Sequence, residues 1–201
     1  MSFDLQIAEA LDGRSIELVI IGGSAGGVDA LIGLLPALPA PFALGVVCIL
    51  HIPSDRDSRL AELFAARVAL PVREARDKEP IQPGTVYFAG PGYHLSIESD
   101  RSFSLSCEPP VHFARPAIDV LMESAADVYG PALAGVLLTG ANHDGADGMA
   151  RIKDCGGLTV VQDPNEAQAS TMPVEAIRRC APQLVLPLEG IRTLLPLLEK
   201  P

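Results

Sequence analysis

From Glu17 to Gly27 the chain reads Glu-Leu-Val-Ile-Ile-Gly-Gly-Ser-Ala-Gly-Gly, a short apolar run followed by a glycine-rich turn. An unbroken apolar run of this length is typical of a strand that is buried on both faces. The residues that follow are apolar at helical spacing as far as Pro36, namely Val28, Leu31, Ile32 and Leu35. This stretch therefore predicts a strand, a tight turn and a helix.

Apolar runs and helical patterns alternate along most of the chain. Further buried strands are predicted over residues 44–50, 134–138 and 158–161. Helical patterns lie between or after them, over residues 57–68, 118–125, 145–155, 174–179 and 191–198. Buried strands that alternate with helices imply a parallel sheet that is covered by helices on both faces.

Residues 71–110 have a different pattern. Turn sequences such as Pro83-Gly84 and Gly90-Pro91-Gly92 separate short β-like pieces at residues 86–89, 94–97 and 103–107. We interpret these pieces as an antiparallel hairpin insertion. The predicted fold class is therefore α/β, a doubly wound and mostly parallel sheet with an antiparallel hairpin insertion, in three αβα layers. One domain is expected over residues 17–201, preceded by an N-terminal extension over residues 1–16.

Composition and charge exclude several classes of protein. The net charge of −10 is unfavourable for nucleic-acid binding, which needs a basic surface. No apolar run approaches the roughly 18–20 residues that would span a bilayer, and no basic cluster with a hydrophobic segment marks a secretory signal. The four cysteines are far apart and form no C-x-x-C pair, so we expect neither disulfides nor a metal site. A cytoplasmic protein without membrane insertion is expected.

Ser24 is the first candidate for chemistry, because ligands of a parallel sheet bind beyond the carboxyl ends of its strands. Gly22-Gly23-Ser24-Ala25-Gly26 matches G-x-S-x-G, in which small neighbours let a serine protrude from a strand-to-helix turn. A dinucleotide cradle is the weaker interpretation, since the spacing is not G-x-G-x-x-G and no Walker lysine follows. A turn that only allows close packing of strand and helix remains open.

His51 follows the next predicted strand directly, where that strand reaches the same edge of the sheet. A lone histidine is usually a core residue that is satisfied by a backbone carbonyl. At this edge, however, it could take the proton from Ser24, and a serine hydroxyl is a poor nucleophile without such a base.

Asp144 could supply the carboxylate that orients the histidine, since it follows the strand predicted over residues 134–138. The alternative is that Asp144 caps the helix that begins after it. His143 is a rival base, and three other aspartates lie near strand ends: Asp55, Asp57 and Asp163. The order Ser, His, Asp differs from the Ser, Asp, His order of α/β-hydrolases, so an ordinary lipase is not predicted.

Several motifs, taken in order, resemble the catalytic domain of the chemotaxis protein-glutamate methylesterases, the CheB family. The resemblance extends from about Glu17 to the C-terminus. It rests on Ile21-Gly22-Gly23-Ser24-Ala25-Gly26-Gly27, His51-Ile52-Pro53, Pro109-Pro110-Val111, Arg115-Pro116, Asp119-Val120-Leu121, Thr139-Gly140, Asp144-Gly145, Gly148-Met149, Gln162-Asp163 and Met172-Pro173.

The resemblance implies an enzyme that hydrolyses glutamyl methyl esters on the cytoplasmic helices of chemoreceptors, releases methanol and in many members deamidates receptor glutamines. It implies Ser24 as nucleophile, His51 as general base and then acid, and Asp144 as the orienting carboxylate. The backbone N–H groups of Ala25 and Ala141 are candidate oxyanion donors. No metal or organic cofactor is implied.

Three departures from the family pattern bear on activity and regulation. The usual Ser-Thr-Gly-Gly is Ser24-Ala25-Gly26-Gly27, and the usual Thr-Gly-Met-Gly-Asn-Asp-Gly is Thr139-Gly140-Ala141-Asn142-His143-Asp144-Gly145. Most relatives also carry an N-terminal receiver domain, which the sixteen residues before the first strand could not form. Regulation within this chain is therefore not expected, and a separate receiver or other chemosensory signalling protein is the candidate partner.

Overall fold

A computed structural model describes residues 3–51 and 58–199 of the protein. Its strands are β1 (Leu18–Gly23), β2 (Gly45–Leu50), β3 (Val72–Glu74), β4 (Val86–Phe88), β5 (His94–Ile97), β6 (Phe103–Ser106), β7 (Leu133–Leu137), β8 (Leu158–Gln162) and β9 (Leu184–Leu186). Within the described residues, seven of these strands form one parallel sheet in the order β3-β4-β2-β1-β7-β8-β9. Strands β5 and β6 form a separate antiparallel hairpin.

Helices cover both faces of the sheet. They are α1 (Phe3–Leu11), α2 (Gly27–Leu34), α3 (Leu60–Ala65), α4 (Ile118–Tyr129), α5 (Ala146–Asp154), α6 (Thr171–Cys180) and α7 (Leu188–Leu197). Side chains of β1 alternate between two apolar cores, as a strand that is buried on both faces requires. Val19 and Ile21 join the core under α1, α2, α3 and α7, whereas Leu18 and Ile20 join the core under α4, α5 and α6. The doubly wound fold in three layers is therefore confirmed.

The prediction for residues 71–110 is wrong in one respect. Residues 86–88 do not belong to the hairpin, because β4 pairs in parallel with β2 and with β3 in the main sheet. The physical reason is burial: Val86 and Phe88 lie in the core, and the Phe88 ring stacks on Phe64 with the ring centres 5.0 Å apart. Only the two later pieces, β5 and β6, form the predicted hairpin.

The N-terminal residues 3–11 form a helix that packs on the sheet. Ile7 and Leu11 of α1 are buried in the same core as α2 and α7. The domain boundary at residue 17 stays a prediction. Part of the helix predicted over residues 57–68 is present as α3, and residue 57 lies outside the described residues. Among the described helices, none combines the length and apolarity needed to cross a bilayer.

Strand β1 lies at the point where the connections change direction. From β1 the chain continues to β2 on one side, and it later returns to β7 on the other side. In an open α/β sheet such a point creates a crevice at the carboxyl ends of the strands. The loops that follow β1, β2 and β7 therefore meet at one place.

Candidate active site

Ser24 and His51 lie side by side at the carboxyl ends of β1 and β2. The two strands pair Gly23 with Leu50, so the next residue of each strand is Ser24 and His51. The backbone confirms this neighbourhood, because His51 N–H donates to Gly23 O at 3.4 Å. The predicted neighbourhood of Ser24 and His51 is therefore confirmed, whereas their catalytic roles stay a prediction.

The turn that carries Ser24 is held by backbone contacts and by a glycine. Ser24 N–H donates to Thr139 O at 2.9 Å, and Gly27 N–H donates to Ser24 O at 2.8 Å. Gly26 has a φ of +80°, and a Cβ on it would lie 2.5 Å from Gln168 Oε1. Since L side chains disfavour this backbone conformation, only glycine fits here without strain.

The imidazole of His51 is hydrogen-bonded to Asp144. His51 Nε2 and Asp144 Oδ2 are 2.7 Å apart, with the histidine side chain 15% exposed and the aspartate side chain fully buried. The carboxylate accepts, so Nε2 carries the proton and Nδ1 is the nitrogen that remains for a substrate or for Ser24. Among the described residues, neither His51 Nδ1 nor Ser24 Oγ has a hydrogen-bond partner. This is the reverse of the nitrogen assignment in the chymotrypsin triad.

Asp144 is fixed by the first turn of α4. Ile118 N–H donates to Oδ2 at 2.8 Å, and Asp119 N–H donates to Oδ1 at 2.9 Å. The predicted alternative, a cap on the helix after Asp144, is wrong: residue Gly145 occupies that position, and it makes no side-chain cap. Asp144 instead satisfies N–H groups of a different helix, whose N-terminal dipole favours a negative charge.

The pKa of Asp144 lies below its ordinary value. Burial raises the pKa, but the hydrogen bonds from His51, from Asp119 N–H and from Ile118 N–H together lower it by more. Asp144 is therefore an anion that can stabilise a positive charge on His51 during a proton transfer.

A second carboxylate, Asp119, lies directly beside Asp144. Its Oδ1 accepts from Gly148 N–H at 2.7 Å, and its Oδ2 lies 3.2 Å from His112 Nε2. Burial raises the pKa of Asp119, and the negative charge of Asp144 raises it further. The hydrogen bond from Gly148 N–H lowers the pKa, but the net shift is upward. The first turn of α4 thus contributes a second buried carboxylate, Asp119. From the sequence, this residue was named only as part of the motif Asp119-Val120-Leu121, and no role was predicted for it.

The other candidates from the sequence occupy different positions. His143 Nε2 lies 2.9 Å from His112 Nδ1, so this rival base is paired with another histidine and not with Asp144. Asp163 Oδ1 accepts from Asn165 N–H at 2.9 Å within a turn. Asp55 and Asp57 lie outside the described residues.

Thr139 and Gln162 support the Ser24 turn, and sequence reasoning missed this role. Thr139 Oγ1 donates to Ala25 O at 2.8 Å and accepts from Ala169 N–H at 2.8 Å. Gln162 Oε1 accepts from Thr139 N–H at 2.8 Å, with the glutamine 1% exposed. The available signal was their position, since both follow or end a predicted strand at the edge where ligands bind.

Known proteins with similar sequences share one family description. The family model described as CheB methylesterase matches residues 19–195. A relative from Leptospira interrogans, provisionally named a protein-glutamate methylesterase/protein-glutamine glutaminase, is 46% identical over 178 residues, which cover 89% of this chain and 92% of the relative. A relative with that name from Symbiobacterium thermophilum is 39% identical over 174 residues, 87% of this chain but only 48% of the relative.

A solved structure has the same fold. The crystal structure of the Thermotoga maritima CheB methylesterase catalytic domain matches with a TM-score of 0.87 and 31% sequence identity, covering 92% of this chain and 100% of that domain. The match of the family model over most of the chain, together with these relatives, shows where the protein belongs. It is a member of the CheB methylesterase family.

Proposed function

We propose that the protein is a protein-glutamate methylesterase that acts on methylated chemoreceptors, with glutamine deamidation as a second reaction of the same site. The names of the relatives support this activity. The observation that carries the residue assignment is the 2.7 Å contact of His51 Nε2 with buried Asp144, directly beside Ser24. A carboxylate, an imidazole and a hydroxyl in this order are the parts of a serine esterase.

In the first half of the reaction, His51 Nδ1 accepts the proton of Ser24 Oγ while that oxygen attacks the ester carbonyl carbon. Asp144 holds Nε2–H and stabilises the imidazolium that forms. When the tetrahedral intermediate collapses, the bond to the methoxy oxygen breaks, and Nδ1–H protonates this leaving group as methanol. The product is a glutamyl ester of Ser24.

In the second half, water replaces Ser24 as the nucleophile. His51 Nδ1 takes a proton from the water as it attacks the acyl carbon, and returns a proton to Ser24 Oγ as the ester bond breaks. The receptor glutamate is released and the enzyme is restored. A glutamine side chain follows the same steps, with ammonia as the leaving group.

The negative oxygen of the intermediate needs donors that are already in place. The backbone N–H groups of Ala25 and Ala141 are the candidates, since both residues lie in exposed turns that flank Ser24 and Asp144. Within the described part of the chain, neither N–H donates to another backbone group. Replacement of the family threonine by Ala25 removes a hydroxyl but leaves this donor intact.

The proposed substrate also sets the location and the partners. Methylated glutamates of chemoreceptors lie on cytoplasmic helices, so the reaction belongs in the cytoplasm. A separate receiver protein, or another chemosensory signalling protein, is the proposed regulatory partner.

Methanol release from methylated chemoreceptor membranes tests the proposal. The intact protein should release methanol, and Ser24→Ala should lose activity by on the order of a million-fold, because the nucleophile is removed. Ser15→Ala is the matched control, since Ser15 is exposed and precedes the amino end of the same strand. It should keep the rate of the unmodified protein.

A serine-directed phosphonate separates the alternatives. No methanol release, with Ser24 labelled by the phosphonate, would indicate a serine hydrolase for a different ester or amide. No release and no label would contradict the esterase assignment altogether and leave a signalling module that binds partners without catalysis.

A further inference from the structure

His112, Asp119 and Asp144 form a cluster of potential metal ligands beside the contact between His51 and Asp144. Each offers one ligand atom, and these three atoms lie within 4.8 Å of one another. Asp119 and Asp144 are 4% and 0% exposed, whereas the His112 side chain is 29% exposed and leads to solvent. The cluster is thus buried on the carboxylate side and open on the histidine side.

The contact between His112 and Asp119 does not have the geometry of a hydrogen bond. His112 Nε2 and Asp119 Oδ2 are 3.2 Å apart, yet Asp119 Oδ2 is buried and has no hydrogen-bond partner among the described residues. Two ligands bound at about 2.0–2.1 Å to one tetrahedral zinc ion lie about 3.3 Å from each other. The observed separation therefore suits two ligands of one ion.

Asp144 retains a lone pair for such an ion. A carboxylate has about four acceptor positions. Oδ2 accepts from His51 and from Ile118 N–H, but among the described residues Oδ1 accepts only from Asp119 N–H. Oδ1 can therefore bind a cation without breaking a hydrogen bond of the site.

His143 orients His112 for this role. His143 Nε2 lies 2.9 Å from His112 Nδ1, so Nδ1–H of His112 can donate to it and leave Nε2 unprotonated. A histidine that binds a metal commonly donates its other ring N–H to such a partner, which fixes the tautomer and the ring.

We propose that His112 Nε2, Asp119 Oδ2 and Asp144 Oδ1 bind one divalent transition-metal ion of the zinc class, and that this ion inhibits the enzyme. One imidazole and two carboxylates suit zinc, whereas calcium and magnesium prefer oxygen ligands throughout. The ion is not a cofactor of the reaction: it withdraws negative charge from Asp144, which then stabilises the His51 imidazolium less. The inhibition rests on the proposed esterase function, whereas the binding of the ion does not.

Calorimetric titration of the chelator-treated, untagged protein with zinc chloride tests the binding site directly. One ion should bind per chain. His143→Asn should weaken binding by about 10–100-fold, the usual cost of losing an orienting partner, and His112→Asn should weaken it by more. Asparagine is chosen at position 112 because the residue has a φ of +50°, which asparagine tolerates. Circular dichroism checks that each variant is folded.

Cys107→Ser is the matched control, because Cys107 is an exposed free thiol and thus the rival zinc ligand. It should bind zinc as the unmodified protein does. Cobalt in place of zinc adds a spectroscopic test, since thiolate coordination gives an intense near-ultraviolet band and coordination by histidine and carboxylates does not. Absence of saturable binding, binding that survives His112→Asn, or binding lost in Cys107→Ser would overturn the site.

Methanol release measured with and without zinc tests the inhibition. Zinc should slow the unmodified protein, a chelator should restore the rate, and His112→Asn should resist zinc at the same concentration. Binding without inhibition would overturn the functional half of the proposal. If the protein releases no methanol under any condition, the calorimetric result still decides the metal site, so the two failures remain distinguishable.

Discussion

The loop after β7 and the first turn of α4 each place one buried carboxylate at the same edge of the sheet, and the two groups differ in their hydrogen bonds. Asp144 accepts from His51 Nε2, Ile118 N–H and Asp119 N–H. Asp119 accepts from Gly148 N–H, and one of its oxygens has no hydrogen-bond partner among the described residues. Burial raises the pKa of both, yet the net shift is downward for Asp144 and upward for Asp119.

Because burial raises the pKa of both carboxylates, the opposite net directions follow from the hydrogen bonds and charges around each group. A buried anion is costly unless hydrogen bonds compensate for the lost water. Asp144 receives that compensation from the N-terminus of a helix and from a histidine, whereas the negative charge of Asp144 itself disfavours a second anion at Asp119. Two chemically identical groups in contact can therefore take different roles.

The largest expected difference between the two carboxylates is in the loss of activity when each is replaced by asparagine. Asp144→Asn should slow methanol release by about ten thousand-fold, because an amide cannot both hold His51 in the required tautomer and stabilise its positive charge. The measurement is the kcat of methanol release from methylated receptors.

The same substitution at the neighbouring residue is the matched comparison. Asp119→Asn keeps an oxygen for Gly148 N–H, and it changes no atom that contacts His51. Its kcat should fall by less than about tenfold. Equal losses in the two variants would mean that the carboxylates act as one unit, and the distinction between them would be wrong.

Much of this arrangement could be predicted from the sequence, because strand ends of a parallel sheet share one edge. The apolar runs that lead to Ser24, to His51 and to the loop of Asp144 placed all three residues correctly. Strands β3 and β9 were missed because three residues are too few to establish a pattern. The role of β4 was missed because its residues pair in parallel with residues of β2 that lie forty positions earlier in the chain, as Val46 with Val86.

The partners of the two carboxylates could not be predicted, and the reason is again distance along the chain. Asp144 was weighed as a helix cap, which is the correct kind of interaction with the wrong helix. The N–H groups that it satisfies are 25 and 26 residues away, and hydrophobic periodicity contains no information about such contacts. The pairing of His112 with Asp119 and with His143 also depends on the folded loop.

A smaller difference is expected in the free energy of unfolding when each carboxylate is replaced by alanine. Asp144→Ala leaves the N–H groups of Ile118 and Asp119 buried without an acceptor. Since each such donor costs about 1–3 kcal/mol, the free energy of unfolding should fall by about 2–6 kcal/mol. Asp119→Ala leaves one N–H group, that of Gly148, without its acceptor, and the other oxygen that it removes has no hydrogen-bond partner among the described residues, so its loss should be smaller. Urea unfolding measures both, and a larger loss at Asp119 would reverse the comparison.

The smallest expected effect is the pH dependence of stability in metal-free buffer. The lowered pKa of Asp144 means that the unfolded chain binds more protons than the folded one in acid, so stability falls as the pH falls below the ordinary aspartate pKa. The raised pKa of Asp119 has the opposite sign: as the pH rises from the ordinary value to the raised one, the unfolded chain ionises first and stability falls. Each group can contribute a slope of at most about 1.4 kcal/mol per pH unit.

Urea midpoints measured across this pH range test both slopes. In Asp144→Asn the midpoint should no longer fall in acid. In Asp119→Asn the midpoint should no longer fall as the pH rises above the ordinary aspartate pKa. If Asp119→Asn abolished the loss of stability in acid instead, Asp119 would be the carboxylate with the lowered pKa, and the order of the two pKa values would have to be exchanged.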